Sequence, residues 1–351
     1  MYLDFFNLRT YPFQVTPDAE FLYLGKAHAR AKAYLDYAVW SPDGFVVITG
    51  EIGSGKTILL KKVLSELPES VVVANIFQTQ LDEIEFLQAL LLQFGYRAFD
   101  AKKIELLDAL SSFLLEQHQN KRQVVLIVDE AQNLTERALE EIRLLSGLES
   151  QAERILKVIL VGQAELGAKL DSPGLEQLAQ RVQLRFHIKA LSRDEIGTYI
   201  KHRLTVAGAQ NPALFPADTV PLIHRYTDGV PRLINILCDT TLTGAFVEST
   251  KNISTELIAA ALEELQWVPY AERISKKRRN VEDAHDPSDN GISDELGNGL
   301  LDSTEMAEKL NRLYTFVPKL AANITGKMKS IDQQLKQLTE LVKDKRSNPH
   351  E

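Results

Sequence analysis

The sequence predicts a parallel α/β sheet covered by helices on both faces, followed by a smaller all-helical unit. Three observations point there. Short apolar runs alternate with helical periodicity up to about residue 190. No strand-like run occurs from Ser192 to Leu265. A glycine-rich turn joins one apolar run directly to an amphipathic helix. Strands alternating with helices form parallel sheets because each crossover lays a helix on a sheet face.

In chain order, Phe45–Thr49, Val71–Phe77, Val124–Val128, Leu156–Val161 and Val182–Ile188 read as strands. Residues 55–67, 81–94, 103–118 and 135–149 carry the 3.6-residue apolar period between them. The segments at 192–205, 217–227, 231–247 and 254–265 make up the helical unit. The expected organisation is an α/β domain at 1–190 and an all-helical domain at 191–270. A basic cluster with an acidic linker follows at 271–308, and an amphipathic helix at 309–346.

Composition fits a globular chain of two compact units and a tail: 351 residues, 44% hydrophobic and 25% charged. The single cysteine, Cys238, excludes an internal disulfide framework and a multi-cysteine zinc site, and is expected to be a buried, inert thiol on a helix of the second unit. The seven histidines show no metal-ligand spacing, and His28 and His224 are assigned to packing or to the surface of the helical unit, with no catalytic role. No apolar run reaches the length of a membrane span and no signal peptide is visible at the N-terminus. A soluble protein of a reducing compartment is expected.

The net charge of −8 is unevenly placed. Residues 271–351 hold 14 basic and 14 acidic residues, so the whole excess belongs to residues 1–270. Lys276-Lys277-Arg278-Arg279 closes a basic cluster, and residues 280–308 then carry nine acidic residues and no Lys or Arg. That polar stretch is too poor in large apolar side chains to offset its ordering entropy and reads as a linker. Beyond it, Leu310, Leu313, Val317, Leu320, Ile324, Met328, Ile331, Leu335, Leu338 and Val342 recur with heptad-like spacing. Such a helix either folds back on the core or offers its apolar seam to a second copy or a partner groove.

The chemistry lies in two segments. Gly50-Glu51-Ile52-Gly53-Ser54-Gly55-Lys56-Thr57 matches G-x-x-x-x-G-K-[ST], between the strand and a helix. Glycines there let successive N–H groups turn toward phosphate oxygens, and the helix N-terminus adds positive charge. Lys56 is expected on the β- and γ-phosphates of a nucleotide and Thr57 on Mg²⁺. The motif makes the α/β unit a P-loop NTPase.

Val124-Val125-Leu126-Ile127-Val128-Asp129-Glu130 is an apolar strand ending in two carboxylates, similar to a Walker B motif. Asp129 is expected beside the metal, and Glu130 on the water that attacks the γ-phosphate. The extra strand between the two motifs in sequence is expected where the strands that carry them are not adjacent in the sheet.

These segments, with YLDFFNLRTYPFQVTPDAEFLYLGKAHARAKAYLDYA, VVLIVDEAQNL, LKVILVGQAEL, LAQRVQLRFHI and DGVPRLINILCD, resemble the ExeA/GspA-type AAA+ ATPases of bacterial general secretion. The related ATPases of exosortase (PEP-CTERM) and exopolysaccharide loci share the pattern. The resemblance covers roughly residues 1–265 and implies an AAA+ fold, ATP as substrate and work on envelope assembly. It places Gln163 as the sensor-1 amide, beside the reading of a strand-end turn. It places Arg181 as an arginine finger entering a neighbouring subunit, with Arg185 as the alternative, and Arg232 as sensor 2 on the phosphates. A homo-oligomer is implied. Tyr11, Pro12, Phe13, Pro17 and Tyr23 fall where the family approaches the adenine, and packing under the sheet accounts for them equally well. The secretion members continue into a transmembrane helix and a periplasmic domain. Here that region is a basic cluster, a linker and a polar-faced helix, which draws the resemblance toward the exosortase and exopolysaccharide members.

Two other functions fit parts of the pattern. A DNA-associated regulatory ATPase of the transposition or initiator type would share this P-loop, but the acidic excess over residues 1–270 disfavours a phosphate-backbone partner. A nucleotide-gated scaffold would bind ATP and recruit through the terminal helix with little turnover. The leading expectation is an ATPase driving or regulating an envelope secretion or polysaccharide-export system. Its partners would be reached through residues 309–346, with the basic cluster free to touch anionic lipid.

Overall fold

A computed structural model describes residues 2–275 apart from 78, 151 and 152. The acidic linker and the helix expected at 309–346 lie outside the described residues. Five strands form one parallel sheet: β1 Phe45–Gly50, β2 Val71–Ile76, β3 Gln123–Val128, β6 Leu156–Gly162 and β7 Leu184–Ile188. A short antiparallel pair, β4 Glu149–Ser150 and β5 Glu153–Arg154, stands apart. The sheet order is β2-β3-β6-β1-β7. The strands carrying the two phosphate-site motifs are therefore not adjacent, and β6 runs between them.

The near-continuous apolar runs follow from burial on both faces. Along β1, Phe45 and Val47 enter one core while Val46 and Ile48 enter the other. Along β3, Val124, Leu126 and Val128 alternate in the same way with Val125 and Ile127. Helices α4 (Glu83–Gln93), α5 (Lys103–Gln119), α6 (Glu136–Leu145), α7 (Ala164–Leu170) and α8 (Glu176–Arg181) close the first face. Helices α2 (Lys26–Trp40) and α3 (Lys56–Glu66) close the second. A third core joins α9 (Arg193–Val206), α10 (Val220–Thr227), α11 (Pro231–Val247) and α12 (Thr255–Glu264).

Three local expectations change. The helix expected at 135–149 stops at Leu145, where the Ser146 hydroxyl bonds back to the Arg143 carbonyl, and the β4–β5 pair follows. Helix α2 was invisible to periodicity because much of its buried face is Ala31 and Ala38, too small to stand out from its neighbours. The N-terminal aromatics do not pack under the sheet. Helix α1 (Tyr2–Phe6), Leu8, Phe13 and Phe21 enter the helical unit's core, with Phe13 edge-on to Phe215 at 5.9 Å. Cys238 is fully buried there, as expected, and burial pushes its thiol pKa up. His224 sits half-buried on α10.

Candidate functional site

The site forms at the carboxyl ends of the parallel strands, where open α/β sheets bind ligands. β1 ends at Gly50, the loop turns through Gly53 (φ +83°) and Gly55 (φ +97°), and α3 starts at Lys56. Both φ values belong to the left-handed region, which disfavours any side chain. Space forbids one as well: a Cβ at Gly53 would meet Arg232 Cβ at 2.5 Å. A Cβ at Gly55 would meet His28 Nε2 at 2.9 Å.

Lys56 is buried and closed on its own loop, donating to the Gly50 carbonyl at 2.8 Å and the Glu51 carbonyl at 2.9 Å. Burial lowers its pKa, and the carboxylates of Glu130, Asp129, Glu165 and Glu51 oppose that shift. Thr57 Oγ1 donates to Asp129 Oδ2 at 2.9 Å, so the two motifs meet. Asp129 is only 3% exposed, and burial raises its pKa despite the bonds from Thr57 and the Glu130 N–H.

Glu130 adopts φ 52°, ψ 38°, a left-handed conformation that is costly for a residue with a side chain. Its N–H is held by Asp129 Oδ1 at 2.9 Å and its carbonyl by the Thr79 hydroxyl at 3.1 Å. The carboxylate oxygen Oε2 accepts from Gln132 Nε2 at 2.7 Å and Gln163 Nε2 at 3.1 Å. Burial pushes the Glu130 pKa up, but the two amides and the charge of Lys56 outweigh it and hold the carboxyl below its ordinary value. Gln163 stands just before α7, with its side chain turned to Glu130 rather than capping the helix.

Arg232 is the second residue of α11, and its backbone N–H donates to the Gly53 carbonyl at 3.2 Å. The helical unit therefore touches the phosphate loop directly. Between them lies a cavity of about 360 Å³, lined by Gln14–Pro17, Phe21–Tyr23, the loop, Glu130, Leu191, Tyr199, Arg203, Arg232 and Asn235. Its size suits a small-molecule ligand. Part of the N-terminal segment thus forms a cavity wall while its aromatic flanks anchor in the helical core.

Several residues that sequence reasoning passed over shape this wall. Buried Arg203 donates to the carbonyls of Pro12 and Gln14 and to the Tyr199 hydroxyl, stacking over Phe21 at 4.8 Å. An arginine only donates, so Tyr199 must give its own proton onward, to Asn235 Oδ1 at 2.7 Å. Tyr270 reaches back to the loop, donating to Glu51 Oε2 at 2.9 Å. Burial and that contact push its phenol up to about 12.

Packing was the expectation for His28, and the surface it packs against is the phosphate loop. It is 3% exposed and donates from Nε2 to the Ser54 carbonyl at 2.7 Å. Burial holds its pKa below the ordinary 6.5, against the pull of the Ser54 bond and Glu195. As pH falls through 6.5 the unfolded chain takes up a proton that folded His28 refuses. Stability should therefore be lost from pH 6.5 down toward the folded pKa, by at most about 1.4 kcal/mol per pH unit. Thermal melts from pH 7.5 to 5.5 check this: His28→Gln should fall less steeply than the unmodified chain. Equal slopes would show that His28 contributes nothing.

The two finger candidates lie elsewhere. Arg181 ends α8, two residues before Gln183, whose N–H donates to the Phe45 carbonyl at the start of β1. Its guanidinium lies against Gly147 and bonds the Ser146 hydroxyl at 3.3 Å. Burial and the nearby Arg154 and Arg143 hold its pKa below the ordinary value. The length of β1 separates it from the loop, roughly 17 Å at about 3.3 Å per residue. Arg185, on β7 opposite Val47, is tied to Asp171 at 2.6 Å on the surface.

Residues 40–170 match the family model described as AAA domain. The chain is 36% identical over 269 residues to general secretion pathway protein A of Aeromonas hydrophila, an alignment covering 76% of this chain and 49% of that protein. The chain thus spans about half the length of that relative. Among solved structures, Cdc6p from Pyrobaculum aerophilum superposes with a TM-score of 0.55 at 16% identity, over 70% of each chain. ORC1 of Aeropyrum pernix, solved in complex with DNA, gives 0.52 at 16% identity, over 72% of this chain and 69% of that one. At such identities the likeness is one of fold. No helix among the described residues is long and apolar enough to cross a membrane.

Proposed function

The chain belongs to the AAA-domain family of general secretion pathway protein A, and from that membership we propose that it is a Mg²⁺-dependent ATPase. Its turnover would drive or regulate the assembly of a bacterial envelope system for protein secretion or polysaccharide export. One observation carries the reading: Lys56, the Thr57–Asp129 pair, Glu130 and Gln163 converge at one end of the sheet, beside a cavity of nucleotide size.

Loop N–H groups from Gly50 to Thr57, together with Lys56 and Arg232, bind the phosphates. Lys56 exchanges its two loop carbonyls for the β- and γ-phosphates. Thr57 and Asp129 are a hydroxyl and a buried carboxylate already in contact, a hard-oxygen pair suited to Mg²⁺. Bound there, the ion supplies charge neutralisation across the phosphates. Glu130 takes a proton from water, whose oxygen bonds the γ-phosphorus as the bond to the β-bridging oxygen breaks and its electron pair leaves with ADP. Gln163, within reach of Glu130, senses the γ-phosphate. Arg181 acts in trans, which requires a homo-oligomer. Residues 309–346 recruit the export partners, and Lys276–Arg279 attach the protein peripherally to the cytoplasmic face of the membrane.

Turnover by the full chain, with Mg²⁺ and with excess chelator, tests this together with Glu130→Gln. The substitution should lower turnover by about a hundredfold or more while ATP binding persists. A chain that hydrolyses no ATP at any concentration, alone or with export partners, would instead be a nucleotide-gated scaffold. The likeness to Cdc6p and ORC1 is of fold, and the acidic excess over residues 1–270 disfavours a phosphate-backbone partner.

A further inference from the structure

Gln132 lies two residues past Glu130 in the short 3-10 turn Ala131–Asn133 and uses both ends of its amide. Nε2 donates to Glu130 Oε2 at 2.7 Å, and Oε1 accepts the backbone N–H of Gln163 at 3.0 Å. Chemistry allows only this amide orientation. Flipped, the NH₂ would face an N–H and the carbonyl oxygen would face a carboxylate. The turn is held in place as well, since Lys169 Nζ donates to the Gln132 carbonyl at 3.0 Å. The end of β6 makes room for the amide: a Cβ at Gly162 would stand 2.7 Å from Gln132 Oε1.

Both amides, from Gln132 and Gln163, converge on the same oxygen of Glu130. Among the described residues, the other oxygen, Oε1, receives no donor. Glu130 also borders the cavity. We infer that Gln132 is a positioning residue for ATP hydrolysis. It pins the Glu130 carboxylate through Oε2 and leaves Oε1 to take the proton of the attacking water. Gln163 has two claims on its side-chain NH₂, the carboxylate and the γ-phosphate. Gln132 makes the shorter bond and has no such competing role, so it holds Glu130 in place when Gln163 turns to the nucleotide. The bond from the Gln163 backbone N–H to Gln132 Oε1 ties the end of β6 to the turn after β3, so the segment that senses phosphate and the segment that carries the base move together.

The inference rests on Glu130 as the group that activates water, and the test separates the two. Gln132→Glu is nearly isosteric and keeps the acceptor for the Gln163 N–H, but replaces the donor to Glu130 with a repelling oxygen. Steady-state hydrolysis of Mg²⁺-ATP by the full chain should show kcat lower by about tenfold or more. KM, the affinity for a fluorescent ATP analogue and the ATP-induced rise in melting temperature should stay near those of the unmodified chain. Gln132→Ala should show the same split and serves where the charged variant does not fold. Unchanged kcat, or a loss carried by KM and affinity, would overturn the inference, since a packing role alone moves binding and stability rather than kcat. Glu130→Gln is measured alongside. If that variant keeps its turnover, the reading of Glu130 fails and this inference falls with it. If it loses turnover while Gln132→Glu does not, only the role of Gln132 is lost.

Discussion

Lys56→Ala is expected to lower ATP affinity by about a hundredfold, ~2.7 kcal/mol, and turnover by about a thousandfold or more. The size follows from where the ammonium sits. Lys56 is the buried cation at the centre of an acidic site, facing the charges of Glu130, Asp129, Glu165 and Glu51. Its protons are spent on the carbonyls of Gly50 and Glu51. Those bonds are given up for phosphate oxygens, so binding exchanges neutral acceptors for charged ones, the stronger kind of bond. Without the ammonium, a triphosphate would meet those four carboxylates with loop N–H groups and Arg232 to offset them. Calorimetric titration with a non-hydrolysable ATP analogue reads the affinity, and phosphate release reads the turnover. Lys56→Arg should recover part of the affinity but little turnover, because the planar guanidinium cannot reproduce a compact ammonium in so tight a loop. Binding by Lys56→Ala equal to that of the unmodified chain would remove the loop from the nucleotide site.

The parts of this site that could be read from the sequence are those that are contiguous in the chain. The loop from Gly50 to Thr57 and the Asp129-Glu130 pair each follow an apolar strand, and both strands are buried on two faces, which gives unbroken apolar runs. The strands therefore matched expectation to within a residue or two. Helix α2 escaped because alanines fill much of its buried face. The same limit hid the residues that tertiary contact alone brings together. His28 meets Ser54 across 26 positions, and Arg203 meets Pro12 across 191. Nothing local in a histidine between two alanines, or in an arginine on a lid helix, signals those contacts. Gln132 was the exception with a signal to find. An amide two residues past a strand-end carboxylate can fold back onto it where the carboxylate residue is left-handed, as Glu130 is. Along a regular α-helix, residues at that spacing do not face each other.

Mixing two inactive variants should restore activity if Arg181 serves a neighbour. Arg181→Ala alone should lose about 10³-fold in turnover or more, the scale of an arginine finger. Its effect cannot come from its own site, because the length of β1 lies between Arg181 and the loop, and its guanidinium is turned onto Gly147 and Ser146. In a mixture with Glu130→Gln, some sites pair an intact Glu130 on one subunit with an intact Arg181 on the next. Those sites alone turn over, and random mixing of equal amounts makes them about a quarter of the total, as long as each site takes its finger from one neighbour. Phosphate release from the mixture should therefore rise well above either variant alone. The crowding of Arg181 with Arg154 and Arg143 bears on the same result. Arg143 pairs with Glu140 at 2.7 Å and Arg154 faces Asp43 at 3.6 Å. An anion brought to Arg181, as the γ-phosphate of an adjacent subunit would be under the proposed arrangement, would neutralise the third cation of the cluster. Arg185 makes the control, since its guanidinium is already paired with Asp171 on the surface. Arg185→Ala should retain turnover near that of the unmodified chain, and a larger loss there than at Arg181 would transfer the finger to Arg185.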